Sequence, residues 1–231
     1  MLNKTALVTG ASGGLGREIV HALGKAGCKL ILVGRNESKL KELASEVKSL
    51  YGGCPLYFSV DFCSSSDMDA FFQHDLKVDI LVNCAGIFPI KALDETTLED
   101  YLKCLDINLK IPFFLCKWFS TEMKLKGWGR IVNIASSSAY NGSPETPLYC
   151  ASKHALLGFT RSLYLDLKPY NIRVYCVSPG SIQTEMGRGD TRQKFNTFLD
   201  PKEVAEYITY IMKFDNEMIP EEIRLSRMVI K

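Results

Sequence analysis

Lys4-Thr-Ala-Leu-Val-Thr9 reads as a short apolar strand that runs straight into Gly10-Ala-Ser-Gly-Gly-Leu-Gly16, with a helical pattern over Leu15–Ala26 behind it. No other feature restricts the fold as much as this junction. Glycines so placed allow a tight turn, a close backbone approach and close helix packing, tasks that fall to Gly10, Gly14 and Gly16 in that order. The amides at the start of the helix can then face an anion. Taken alone, the run suits a glycine-rich turn as well as a nucleotide site, since its spacing is Gly-x-x-x-Gly-x-Gly rather than Gly-x-Gly-x-x-Gly.

The rest of the chain repeats the strand-then-helix order. Strands are expected at Lys29–Val33, Leu56–Val60, Ile80–Val82, Arg130–Ala135 and Arg173–Val177, and the closing Glu222–Ile230 can add a seventh. Between them the pattern predicts helices over Glu37–Tyr51, 67–74, Leu98–Lys126 (one long helix or a bent one, starting near Thr96 or Thr97), Tyr149–Asp166 and Pro201–Met212. Such alternation implies parallel strands joined by right-handed crossovers, an α/β doubly wound fold of three layers. No repeat or interdomain linker breaks the series, so one domain over 1–231 is expected. The polar run Gly187-Arg-Gly-Asp-Thr-Arg-Gln-Lys194 makes 180–199 a short substrate loop at the sheet's carboxyl edge or a solvated connection.

Composition removes several classes. The 231 residues carry a formal charge of +2 with lysines scattered, which argues against a nucleic-acid partner. No apolar 18-mer or signal segment is present, so no membrane attachment is expected and the expected address is the cytoplasm. Eight cysteines without a Cys-x-x-Cys, and three histidines not spaced with them, suggest no metal.

Chemistry concentrates in one stretch. Tyr149 and Lys153 stand four residues apart, on one face of a helix, and Ser136 lies thirteen residues upstream. A phenol, an ammonium and a hydroxyl converging on one carbonyl or alcohol would exchange a proton with its oxygen and stabilise charge there. Each residue also has a plain structural role open to it: Tyr149 packing, Ser136 capping, Lys153 solvated. Strand two ends in Gly34-Arg35-Asn36 with no carboxylate for a ribose diol, and Arg35 could instead meet a 2′-phosphate, which favours NADP(H) over NAD(H) without excluding NAD(H). A solvated Arg35 is the alternative.

The ordered series Thr9-Gly-Ala-Ser-Gly-Gly-Leu-Gly16, Asp61, Asn83-Cys-Ala-Gly86, Asn108, Asn133-Ile-Ala-Ser136, Tyr149-Cys-Ala-Ser-Lys153 and Pro179-Gly180 with Thr184 resembles the short-chain dehydrogenase/reductase family over essentially the whole chain. The resemblance implies a Rossmann fold of about seven parallel strands and a nicotinamide dinucleotide. It implies catalysis by Asn108, Ser136, Tyr149 and Lys153, with Asn108 bending a helix and supporting a proton relay. It also implies dinucleotide contacts from Gly10, Ser12, Gly14, Leu15, Gly16, Arg35, Asp61 near the adenine, Asn83 beside the adenosine ribose, Ala85, Gly86, Tyr149, Lys153, Pro179, Gly180 and Thr184. Asp61 and Asn83 could instead cap turns, and Thr184 a helix. Lys153 and a positive nicotinamide are expected to favour the Tyr149 phenolate. Tyr140, Pro144, Glu145, Met186 and Phe195 are candidates for the pocket edge. An NADP-dependent oxidoreductase acting on a small-molecule carbonyl or alcohol is the expected function, the alternative being a dinucleotide sensor with little turnover. The terminal Pro220–Arg227 segment departs from the Gly-rich ending of many 3-oxoacyl reductase relatives. Assembly as a homodimer or homotetramer through 98–126 and 149–168 is a further implication.

Overall fold

Ala6 and Val8 face one layer of helices and Leu7 the other, all three fully buried, because successive side chains of a strand point to opposite faces. A strand apolar on both faces belongs in the middle of a covered parallel sheet. The computed structural model, which describes residues 1–228, places it there.

In chain order the elements are β1 (Thr5–Thr9), α1 (Gly14–Lys25), β2 (Lys29–Gly34), α2 (Glu37–Tyr51), β3 (Leu56–Ser59), α3 (Ser65–Phe72), β4 (Ile80–Asn83), α4 (Leu98–Leu105), α5 (Ile111–Lys126), β5 (Gly129–Ile134), α6 (Pro147–Leu167), β6 (Ile172–Pro179), α7 (Glu185–Arg188), α8 (Pro201–Ile211) and β7 (Glu222–Leu225). The strands form one sheet in the order β3-β2-β1-β4-β5-β6-β7, and every neighbouring pair is parallel. Chain direction across the sheet therefore reverses between β1 and β4, and a crevice opens at their carboxyl ends. Ile19, Leu23, Leu43 and Ile208 cover one face; Phe71, Leu115, Phe119 and Leu167 cover the other.

Helix starts follow the caps. Asn36, Ser64, Thr97, Thr184 and Asp200 each accept a hydrogen bond from a backbone amide of the first turn, and Thr97 forms a reciprocal capping box with Asp100. Gly13 precedes α1 and offers no side-chain acceptor. The expected 98–126 helix is bent: a wide π-type turn over Asp106–Lys110 separates α4 from α5, with Asn108 in its centre. The expected helix at 67–74 starts two residues earlier, where Ser64 caps it. Of the expected seventh strand, Glu222–Leu225 forms, while Val229 and Ile230 lie outside the described residues.

Candidate active site

Two glycines shape the floor of the crevice. Gly10 has φ +64°, and a Cβ there would stand 2.9 Å from the Ala85 Cα, so the turn after β1 lies directly on the segment after β4. At Gly16 a Cβ would meet the Gly10 carbonyl oxygen at 2.1 Å, which binds α1 tightly to the turn. Thr9 ties the two segments further, its Oγ1 accepting from the amides of Cys84 and Ala85 at 3.1 Å each.

Above this floor lies a cavity of about 860 Å³. Gly10, Ser12, Gly14, Leu15, Gly16, Arg35, Ala85, Gly86, Ser136, Tyr149, Lys153, Pro179, Gly180 and Thr184 all line it, so most of the expected site residues come together. Met186 lines it as well. Thr184 both caps α7, accepting from the Gly187 amide at 3.1 Å, and faces the cavity beside Gly14.

Several expected residues are elsewhere. Asn83 is buried beneath the sheet's edge, not on the cavity lining: it pairs in register with Asn133 and donates to its Oδ1 at 2.8 Å, which turns it toward α5 and α6. The Asp61 carboxylate accepts from the Cys63 amide at 3.0 Å in a turn after β3, and the neighbouring Phe62 takes the lining position. Of the rim candidates, Tyr140 is drawn away to Glu222 at 3.0 Å, Phe195 packs on Phe198 and under Arg188, and Pro144 and Glu145 stand behind the wall with Glu145 in the left-handed region. Asn108 is fully buried and reaches no cavity surface. Its Oδ1 accepts from the Ile87 amide at 2.9 Å, while Nδ2 donates to the Ile87 carbonyl at 3.0 Å and to Ser152 Oγ at 3.0 Å. Ser152 donates to the Tyr149 carbonyl at 2.7 Å, so Asn108 links the wall segment at Ile87 to the Tyr149 turn of α6.

Tyr149 is buried, with Phe88 edge-on to its ring at 4.6 Å. Burial pushes its phenol up to about 12, and the neighbouring Ser136 hydroxyl only partly offsets this. In the protein alone desolvation therefore keeps the phenol neutral; the expected bias toward phenolate also counted on a positive nicotinamide beside it. Lys153 donates to the Ile134 carbonyl at 2.9 Å with Nζ 5.8 Å from the Tyr149 ring, and burial draws its ammonium down to about 8. A cation held within reach of the cavity by one carbonyl keeps N–H donors for a second partner.

The arrangement fits a dinucleotide. The first-turn amides of α1 have no intrahelical acceptor, Gly13 gives them no side-chain cap, and that turn lines the cavity without a carboxylate. At the other end of the crevice Arg35, just before the Asn36 cap, and Lys39, in the first turn of α2, present exposed cations to the same cavity. Reading the sequence missed Lys39, although its four-residue spacing from Arg35 was visible there. Phe88, Asp190, Arg192, Gln193 and Arg227 were not expected either; they line the cavity from the segment after β4, the 180–199 loop and the chain just past β7. Among the described residues no three metal-ligating side chains converge.

Known proteins resemble this chain closely. A family model described as short chain dehydrogenase matches residues 4–194. An uncharacterised oxidoreductase of Thermotoga maritima is 37% identical over 186 residues, covering 79% of this chain and 73% of the relative. A 3-oxoacyl-(acyl-carrier-protein) reductase of Rickettsia conorii is 37% identical over 189 residues, or 80% of this chain and 76% of the relative. Among solved structures, an alcohol dehydrogenase from the archaeon Thermococcus sibiricus, complexed with 5-hydroxy-NADP, superposes with a TM-score of 0.86 at 26% identity, covering 97% and 96% of the two chains.

Proposed function

This chain belongs to the short-chain dehydrogenase/reductase family, and on that premise we propose that Tyr149, Lys153 and Ser136 carry out its chemistry with NADPH as the preferred dinucleotide. The protein is an NAD(P)-dependent oxidoreductase that interconverts carbonyl and alcohol groups. A bound nicotinamide supplies or accepts the hydride. The observation that carries the residue assignment is the meeting of a neutral, buried Tyr149 phenol, the Ser136 hydroxyl and the Lys153 ammonium on one cavity wall.

In carbonyl reduction Tyr149 holds the proton that the substrate oxygen takes up. With its phenol pushed to about 12, it is in the donor form at neutral pH. Ser136 donates a hydrogen bond where negative charge develops on that oxygen, and Lys153 uses its free N–H groups to hold the dinucleotide's ribose and to favour proton loss from Tyr149. Phe88 packs edge-on against the Tyr149 ring and lines the same cavity. Asn108 acts through Ile87 and Ser152 as a positioning residue, and a water bridging it to Lys153 would complete a proton path. At the adenosine end Arg35 and Lys39 form a cationic pair suited to a 2′-phosphate, in line with the NADP analogue named for the Thermococcus relative.

The chain works as one cofactor-binding domain whose 180–199 segment closes the substrate side. It assembles as a homodimer or homotetramer and acts in the cytoplasm; no helix among the described residues is long and apolar enough to cross a membrane. Single-turnover NADPH oxidation with a carbonyl substrate found by screening tests the assignment. Tyr149→Phe removes only the hydroxyl and should slow that step about 10²–10⁴-fold with the fold and NADPH affinity kept. An unchanged rate in the variant takes Tyr149 out of the mechanism.

A further inference from the structure

The substrate side of the cavity is built from charges that the dinucleotide does not account for. Arg192, past α7, donates through Nη1 to the Pro144 carbonyl at 2.9 Å, which joins the 180–199 segment to the residues just before Tyr149. Its charge is matched. Nε lies 2.8 Å from the buried Asp190 carboxylate, and Glu145 stands 3.6 Å from Nη1. Gln193 Nε2 donates to the same Asp190 at 2.9 Å, and its Oε1 accepts from Arg227 Nη2 at 2.7 Å. Arg227 also donates to Thr197 Oγ1 at 3.0 Å.

Arg227 thus hangs at the end of a hydrogen-bonded row that begins at Pro144, five residues before Tyr149 in the chain. It is half-buried and lines the cavity, yet both of its partners are neutral and no carboxylate pairs with it among the described residues. The one lining carboxylate without an ion-pair partner among the described residues, Glu185, directly follows Thr184, which packs on Gly14 at the dinucleotide end. A guanidinium fixed by neutral acceptors, with three of its five N–H groups unspent, is arranged to take an oxyanion.

We propose that Arg227 recognises an anionic group at the far end of the substrate, so that the preferred substrates are carbonyl compounds bearing a carboxylate or a phosphate. This rests on the oxidoreductase reading above and names the substrate class of the same site. The two sources of the anion differ in reach: a carboxylate on the oxo compound itself, or the phosphate of a phosphopantetheine-type thioester.

Matched pairs separate them. Methyl 4-oxopentanoate against 4-oxopentanoate reports on a carboxylate, and acetoacetyl-pantetheine against its 4′-phosphate reports on a phosphate. With NADPH saturating, the charged member of one pair should show a kcat/KM about tenfold or more above its neutral partner, expressed in KM, as a charge-assisted hydrogen bond would give. The pair that shows it identifies the source. Arg227→Gln should bring that ratio close to one, and Arg227→Lys should restore part of it. Ratios near one in wild type, a preference that survives in R227Q, or an NADPH KM that rises in R227Q as much as the oxo-acid KM would each overturn the proposal. Turnover of the neutral members in those cases leaves the oxidoreductase reading standing. Calorimetric titration of the two charged compounds into protein loaded with NADP needs no turnover: at least one should bind about tenfold more weakly to R227Q, and equal binding of both to wild type and variant is likewise fatal.

Discussion

Lys153 keeps 4% of its surface exposed and holds a proton that burial has loosened to about 8, against 10.5 in an ordinary lysine. Between those two values the unfolded chain binds a proton that the folded one has released, so stability rises with pH in that window. Buried thiols work the other way. Cys84 and Cys116 are pushed by desolvation from 9.0 to about 12, so above pH 9 the unfolded state ionises first and stability falls. The interval from pH 8 to pH 9 isolates the lysine. Denaturant unfolding of dinucleotide-free protein should show wild type gaining on Lys153→Met by roughly 1 kcal/mol across that interval, with the thiol contribution common to both. A constant difference would mean that Lys153 titrates normally. Arg35 and Lys39 give a second residue-scale expectation. Arg35→Ala and Lys39→Ala should each weaken NADPH by roughly tenfold, and NADH far less, in equilibrium binding at low salt. Equal losses for the two dinucleotides would assign both side chains to packing.

The bend between α4 and α5 shows how one polar residue sets the form of an element. A straight helix would carry Asn108 past Ile87; the π-type turn brings its amide to both backbone groups of Ile87, and Pro112 at the start of α5 contributes no amide to the ladder. Asn108→Ala leaves the Ile87 amide and carbonyl without these partners, which should cost about 1–3 kcal/mol in denaturant unfolding. Because Asn108 also supports the Tyr149 turn through Ser152, kcat should fall more than the NADPH affinity. A stable variant with full activity would reduce Asn108 to a filler of space.

At the scale of the molecule, the outer faces of α4 and α5 remain apolar: Leu98, Tyr101, Phe113, Phe114 and Trp118 are 72%, 47%, 44%, 44% and 48% exposed. Large apolar side chains exposed on two successive helices are suited to burial against a second copy. Sedimentation should therefore give a dimer or tetramer for wild type, and Phe114→Glu should move the distribution toward smaller species. A wild-type mass equal to 25.9 kDa at every concentration would refute the assembly.

Periodicity and turn chemistry are local properties, and they were enough to determine the strand-helix order, the parallel sheet, the glycine turn at Gly10 and the shared helical face of Tyr149 and Lys153, to which the family resemblance added Ser136. The bend at Asn108 was legible only as something the family resemblance implies, for periodicity left Leu98–Lys126 open as one long helix or a bent one. Other features depend on which face of an element meets which neighbour. Asn83 could have faced the crevice or the core, and only the register of β4 against β5, which sets it beside Asn133, turned it inward. Asp61 was spent on its own turn, a competition between side-chain acceptors that spacing does not resolve. The Tyr149 phenol was expected to be drawn toward ionisation by Lys153 together with a positive nicotinamide; in the protein alone its state follows from how much water the packed cavity excludes, a quantity only the folded volume decides. Arg192 and Arg227, thirty-five positions apart in a polar loop and a chain end, meet the cavity only because β7 docks on β6 and the 180–199 segment crosses its end.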